Sequence, residues 1–239
     1  MLSNLPNYIF VVFLLIFGVT LIFFLKLLLA PLVAKGRKTI AWIITLGFLI
    51  WLGFHSFLAS QEFYISSYEL PPRAFLMIVP SILAIFTVLV FLWKSNYLRQ
   101  LSLSTMTHIH IFRFPLEFIV FTGFAASGTI PEIMTFYGSN PDILVGITAP
   151  IIGYLYFSRK NISKNMLLAW NIISLLLLFN ITTIAILSMP YPFQQFGIGQ
   201  PNIALFSFPF IFLPSFLVGV AYFCHIISIH KILVFKSPP

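Results

Sequence analysis

Charge is what this chain has least of. Only 8% of its 239 residues are charged, against about a quarter in ordinary soluble domains. Too few ionic groups remain to clothe a water-facing surface, which excludes a soluble globular protein. Acids are scarcest, and Asp142 is the only aspartate, so an intramembrane protease built on two aspartates is excluded. There is one cysteine, Cys224; it rules out an internal disulfide and a thiolate metal cluster and reads as a small buried hydrophobe. No Gly-x-Ser-x-Gly, phosphate-binding glycine loop or His-Glu-x-x-His occurs, removing the commonest hydrolase, nucleotide and zinc signatures. The last apolar run has no lysine before Lys231, which argues against a retinal Schiff base.

Apolar sequence fills the space that charge leaves. Hydrophobic residues make up 60% of the chain, and its mean hydropathy is +1.04. Windows long enough to cross a hydrocarbon core of about 30 Å occur seven times, at 8–32, 39–59, 74–93, 103–126, 143–158, 167–188 and 203–228. Each is expected to be a helix, because an isolated strand leaves its backbone unsatisfied in lipid. The predicted fold is all-α: one integral membrane domain over 1–239, a polytopic bundle of seven transmembrane helices with no extramembrane domain. "PLVAKG" after the first span contains a small-residue cleavage pattern, but the run is long for a signal peptide and lacks a basic leader.

The net charge of +8 comes from short basic clusters between apolar runs rather than from a dense polar face, so it points to membrane topology and not to nucleic acid. Lys35, Arg37 and Lys38 follow the first span, Lys94 and Arg99 the third, Arg159, Lys160 and Lys164 the fifth, and Lys231 and Lys236 the last. The other connections carry Arg73 alone, together with Glu62, Glu69, Glu132 and Asp142. That alternation predicts an outside N-terminus and an inside C-terminus. The outer connections, 127–142 and 189–202 among them, are rich in turn formers and aromatic residues, suited either to an interfacial belt or to the rim of a cavity.

One apolar span is not purely apolar. Residues 108–118 read "HIHIFRFPLEF". At about 100° per residue, Thr107, His110, Arg113 and Glu117 fall on one face and His108 almost opposite. Arg113 and Glu117 are four apart, so their side chains can pair across one turn. Charges at such depth face the bundle interior and often mark function. Pro115 removes a backbone donor and leaves the Ile111 carbonyl in need of another partner. The face is therefore expected to form either a buried junction between helices or one wall of a ligand, proton or ion site. Asn180, in the sixth span, is a further candidate, and proline and glycine interrupt the fifth and seventh spans as in the broken helices of transporters. His108 and His110 lie toward the inner half of the fourth span and His225 toward the inner end of the seventh. They are candidate haem or metal ligands, set against the plainer reading of satisfied or interfacial histidines.

"RFPLEF" at 113–118, followed by "MTFYGSNPDILVGITAP" at 134–150, resembles a group of uncharacterised polytopic bacterial inner-membrane proteins. These carry an Arg-x-Pro-x-Glu helix and then a Met-Thr-Phe-x-Gly-x-Asn-x-Asp-Ile-Leu segment. The resemblance covers about 40 residues, implies a bacterial inner-membrane setting and supplies no activity. It directs attention to Tyr137, Gly138, Asn140 and Asp142 beside the outer end of the Arg113 helix. Asp142 there is either a helix cap or part of the polar site.

The function expected is binding or transport of a small or amphipathic molecule at a mid-membrane polar pocket, with Arg113, Glu117, His110, Thr107, Asn180, Asn140 and Asp142 as ligand-binding candidates. The residues leave enzyme and non-enzyme both open, weighted toward the second, and identify no cofactor. Its expected partners are the lipid bilayer and either a small solute or a membrane protein. Two other classes stand beside this: a haem- or metal-holding or lipid-modifying enzyme using His108, His110 and His225, and an accessory subunit of a membrane complex.

Overall fold

A computed structural model describes residues 2, 4–65, 69–93 and 95–235. Lys94 and Lys236, counted above among the basic clusters, lie outside the described residues. No strand occurs among the described residues. Six helices are long and apolar enough to cross a membrane: α1 (Asn7–Ala34), α2 (Lys38–Ser60), α3 (Phe75–Leu92), α4 (Leu103–Ala126), α6 (Lys164–Leu187) and α7 (Leu213–Val234). The remaining apolar helix, α5 (Ile143–Ser158), is shorter. A short helix, Asn96–Gln100, lies between α3 and α4.

Six of the expected spans fall within a few residues of these helices; the last does not. Residues 203–212, predicted to be helical, form a 3-10 turn at Ala204–Phe206 and further turns, and α7 begins at Leu213. Pro209 and Pro214 account for this. A proline cannot supply the amide that an interior helical position requires, but it fits the first turn, where Pro214 sits. The non-helical stretch is nonetheless mostly buried, with Phe206, Phe210 and Phe212 in the core although Phe208 is exposed.

Those phenylalanines fasten α7 to α1. Phe210 meets Phe13 edge-on with centroids 5.0 Å apart, Phe17 stacks on Phe212 at 4.4 Å, and Phe24 packs edge-on against Phe216 and Phe223. Such pairs add about 0.5–1.5 kcal/mol each beyond the area they bury. α4 and α7 are the most enclosed of the long helices and α2 and α3 the least. The two outer helices are tied inward through one carbonyl: Ser215 O accepts Trp51 Nε1 of α2 at 2.8 Å and Ser81 Oγ of α3 at 3.4 Å.

The ends of the bundle differ. At one end, here the loop end, segments 127–142 and 189–202 are knitted together. Gln200 Nε2 donates to Ala125 O at 2.9 Å and Ile130 O at 2.5 Å, and Ile203 N and Ala204 N both donate to Thr129 O. The opposite, basic end carries Arg37 and Arg99; there Lys231 Nζ donates to Arg99 O at 2.7 Å and also to Leu101 O.

Glycine sets the close approach of α4 and α5. A Cβ on Gly146 would lie 2.3 Å from the Phe114 amide nitrogen, and one on Gly153 would lie 2.4 Å from His108 Nε2. At Gly146 the obstacle is backbone next to Arg113, which cannot swing aside. Gly146→Ala is therefore expected to lower stability by about 1–3 kcal/mol, as overpacking does. Gly47→Ala, whose Cβ meets nothing within 4 Å, should leave stability unchanged or slightly raised. Thermal unfolding of the two variants in one detergent checks the contrast.

Candidate functional site

α4 is not a uniform helix, and its irregularities position the site. Ser102 caps its start by accepting Thr105 N at 3.1 Å. The turns then tighten to 3-10 over Ile109–Phe112, return to α at Arg113–Pro115, widen to π over Leu116–Phe121 and end as α over Thr122–Ala126. Pro115 stands at the switch, where its missing amide breaks the regular ladder. Wide π turns of this kind occur mostly where a helix meets a functional or packing demand.

On this helix Arg113 is 1% exposed and Glu117 2%. The expected pairing of the two is corrected by the structure. Arg113 Nη1 donates to Asp142 Oδ1 at 2.9 Å as a buried salt bridge, while Glu117 Oε2 accepts Asn140 Nδ2 at 2.6 Å. Both partners come from the segment before α5, which folds back against α4. A surface pair on one helix would be worth little, whereas a buried guanidinium needs a carboxylate held rigidly in place.

The returning segment provides that rigidity. Asn140 Nδ2 also donates to Met134 O at 2.9 Å, and its Oδ1 accepts the Asp142 amide at 3.1 Å. The carboxamide is thus fixed at both ends, and so is the residue that pairs with Arg113. Gly138 permits the fold-back, because a Cβ there would lie 2.5 Å from Glu132 O. Asn180 Nδ2 of α6 donates to Ser139 O at 2.8 Å and braces the turn from the other side. Asp142 precedes α5 but makes no side-chain cap bond; its carboxylate is committed to Arg113. The two halves of the quoted motif, Arg113 with Glu117 and Asn140 with Asp142, therefore form one network.

Arg113, Glu117, Asp142 and Thr182 line a cavity of about 60 Å³ together with apolar side chains such as Met134, Ile181, Leu205 and Leu217. Arg113 Nη2 is buried and has no hydrogen-bond partner. Buried donors are nearly always paired, so this nitrogen is an unsatisfied donor on a residue that lines the cavity.

One turn before Arg113, His110 is fully buried and stacks on His225 of α7, with centroids 3.8 Å and planes 9° apart. Asn171 of α6 orders the pair. Its Nδ2 donates to Leu167 O at 2.9 Å, which turns Oδ1 toward His225 Nδ1 at 3.0 Å. His225 is thereby assigned the Nδ1–H tautomer, with Nε2 a bare lone pair. Stacked rings direct their lone pairs into parallel planes, so in this arrangement they do not converge on a single ion. His108 is elsewhere, its Nδ1 against Ser104 O at 2.8 Å and its ring beside Phe157. Among the described residues no group of three or more His, Cys, Asp or Glu side chains could hold a metal ion. Thr107 is buried and spends its hydroxyl on Leu103 O at 3.0 Å.

Two participants escaped the sequence reading. Asn171 and Trp170, which flank the histidine pair, sit in an apolar run whose lone polar members gave no hint of which face was buried.

A double-mutant cycle separates pairing from packing here. Asp142→Leu alone is expected to cost about 3–5 kcal/mol, because it strands a buried guanidinium. Arg113→Met with Asp142→Leu should recover most of that loss, and denaturant unfolding of the four proteins gives the coupling. No protein family, curated protein or solved structure matches the chain. Its function must be read from the geometry alone.

Proposed function

We propose that the chain is an integral membrane protein that binds or transports a small polar molecule, held where Arg113, Glu117 and Asp142 face the bundle interior. The observation that carries this is Arg113 Nη2, a buried charged donor without a partner, on a residue that is 1% exposed and lines a cavity of about 60 Å³. A ligand with a carbonyl or carboxylate oxygen would satisfy it. The volume admits a molecule of a few non-hydrogen atoms, since one water needs about 10–15 Å³ on the same measure; a long amphipath does not fit here. Asn140 and Asn180 then act as braces, and His110 lies one turn deeper on the same face.

The topology behind this reading is seven crossings, with the N-terminus outside and the C-terminus inside a bacterial inner membrane. α5 is short, yet α4 ends at Ala126 among the loop-end segments and α6 returns to them at Ser188, whose carbonyl accepts Asn202 N. That arrangement supports α5 as the seventh crossing. Arg37, Arg99, Arg159 and Lys164 fall at the opposite end, as the preference for basic cytoplasmic loops favours. The bacterial setting rests on the motif resemblance alone.

Arg113→Lys tests the site without stranding Asp142. Lysine keeps the charge and its attraction to the carboxylate but lacks the second guanidinium nitrogen. Native mass spectrometry of the protein in mild detergent should show a small non-protein mass that the variant retains about 10-fold or more weakly, the worth of a charged hydrogen bond, with unfolding little changed. Equal retention by both proteins, or retention of nothing by the wild type, would count against the reading.

A further inference from the structure

A second and much larger space lies on the other side of α7. Between α1, α2, α3 and α7 the structure has a cleft of about 680 Å³, lined almost wholly by apolar side chains. This is within the usual range for ligand sites of about 300–1,000 Å³, and an order of magnitude above the polar cavity. It exists because α2 and α3 each lean on α7 without closing on one another. Gly47 on α2 widens it, since a Cβ there would meet nothing within 4 Å.

Its polarity is graded. At one extreme are Trp51 and Ser81, whose N–H and hydroxyl are already spent on Ser215 O. At the other are Arg37 and Tyr97, the latter donating to Leu28 O at 2.8 Å. Arg37 is exposed and makes no ion pair among the described residues, and Lys35 and Lys38 beside it are exposed as well. The chain has five acids: Glu117 and Asp142 lie in the buried network, and Glu62, Glu69 and Glu132 lie in loop-end connections. Among the described residues the basic end therefore carries no acidic side chain to neutralise Arg37.

Length identifies the occupant. From Ile40, near Arg37, to Trp51 the wall of α2 rises about 16 Å at ~1.5 Å per residue. That is about half of a ~30 Å hydrocarbon core, the depth of one leaflet. We infer that this cleft binds an anionic phospholipid of the leaflet at the basic end, one acyl chain lying along α2 and α3 toward Trp51 and the phosphate meeting Arg37. The inference is independent of the small-molecule reading, because α7 separates the two spaces and no residue lines both.

Trp51 reports on it directly. The protein and its Trp51→Phe variant are reconstituted in bilayers of phosphatidylglycerol and phosphatidylcholine in which one lipid at a time carries brominated chains, and the difference in fluorescence isolates Trp51. Brominated phosphatidylglycerol should quench Trp51 with an apparent affinity about five-fold or more above that of brominated phosphatidylcholine. Arg37→Gln should reduce that preference by about five-fold, the effect expected of one interfacial cation, and Gly47→Phe should abolish the quenching by filling the cleft. If Gly47→Phe does not insert, Ala84→Leu on the facing wall serves as the plug. Equal quenching by the two lipids, no quenching by either, or a preference that survives the plug would overturn the inference. So would quenching by a brominated free fatty acid alone, which would place an unesterified amphipath there instead.

Discussion

A charge that cannot reach water has to find its opposite, and in this protein that requirement is met by one contact, between Arg113 and Asp142. The two residues are far apart in sequence, so forming the pair commits the chain between them. α4 must present Arg113 inward, the 127–142 segment must fold back, and α5 must start beside α4 rather than elsewhere in the bundle. The fold-back then places Asn140 against Glu117, so the second acid is satisfied by the geometry that satisfies the first. Glycine supports the same constraint twice, at Gly138 where the turn closes on its own backbone and at Gly146 where α5 touches α4.

The pair also explains why α4 tolerates irregular turns. Pro115 removes one backbone bond, and the helix answers with a tight stretch before it and a wide one after. Alone, such a helix would be poorly determined, because each change of winding redirects every side chain beyond it. Anchoring Arg113 on one side of the proline and Glu117 on the other, both to a single rigid turn, fixes the winding across the break. A neutral pair at these positions would bury more cheaply but would not specify the register in this way, the role for which buried ionic groups have the best support.

How much of this could be read from the sequence follows from what determines each feature. Span positions are set by composition over about 20 residues, so 39–59 and 103–126 were legible almost to the residue. The start of α7 was not, because Phe206 and Phe210 belong to a run as apolar as any helix, and burial alone cannot distinguish a turn from a helical segment. The inward polar face of α4 was legible from spacing. Its partners were not, because helical periodicity describes neighbours on one helix, while Asp142 and Asn171 arrive from other elements. Asn140 and Asp142 came into view only through the motif, which gave their identity without their contacts. The cleft left no mark at all, since it arises from two helices failing to pack and no residue type encodes that failure.

α7 is where these features meet. Pro214, Leu217 and Ala221 face the polar cavity, while Ser215, Phe216 and Gly219 face the apolar cleft. One helix thus forms a wall common to a small charged space and a large uncharged one. Its first turns are π-wound, and Ser215 O there bonds both Trp51 and Ser81. Any shift of those turns would move both walls together and would alter the hold on α2 and α3 at the same carbonyl. Occupancy of the cleft can therefore bear on the polar cavity through a rigid, shared element, and only to the extent that a ligand favours one position of α7 over another.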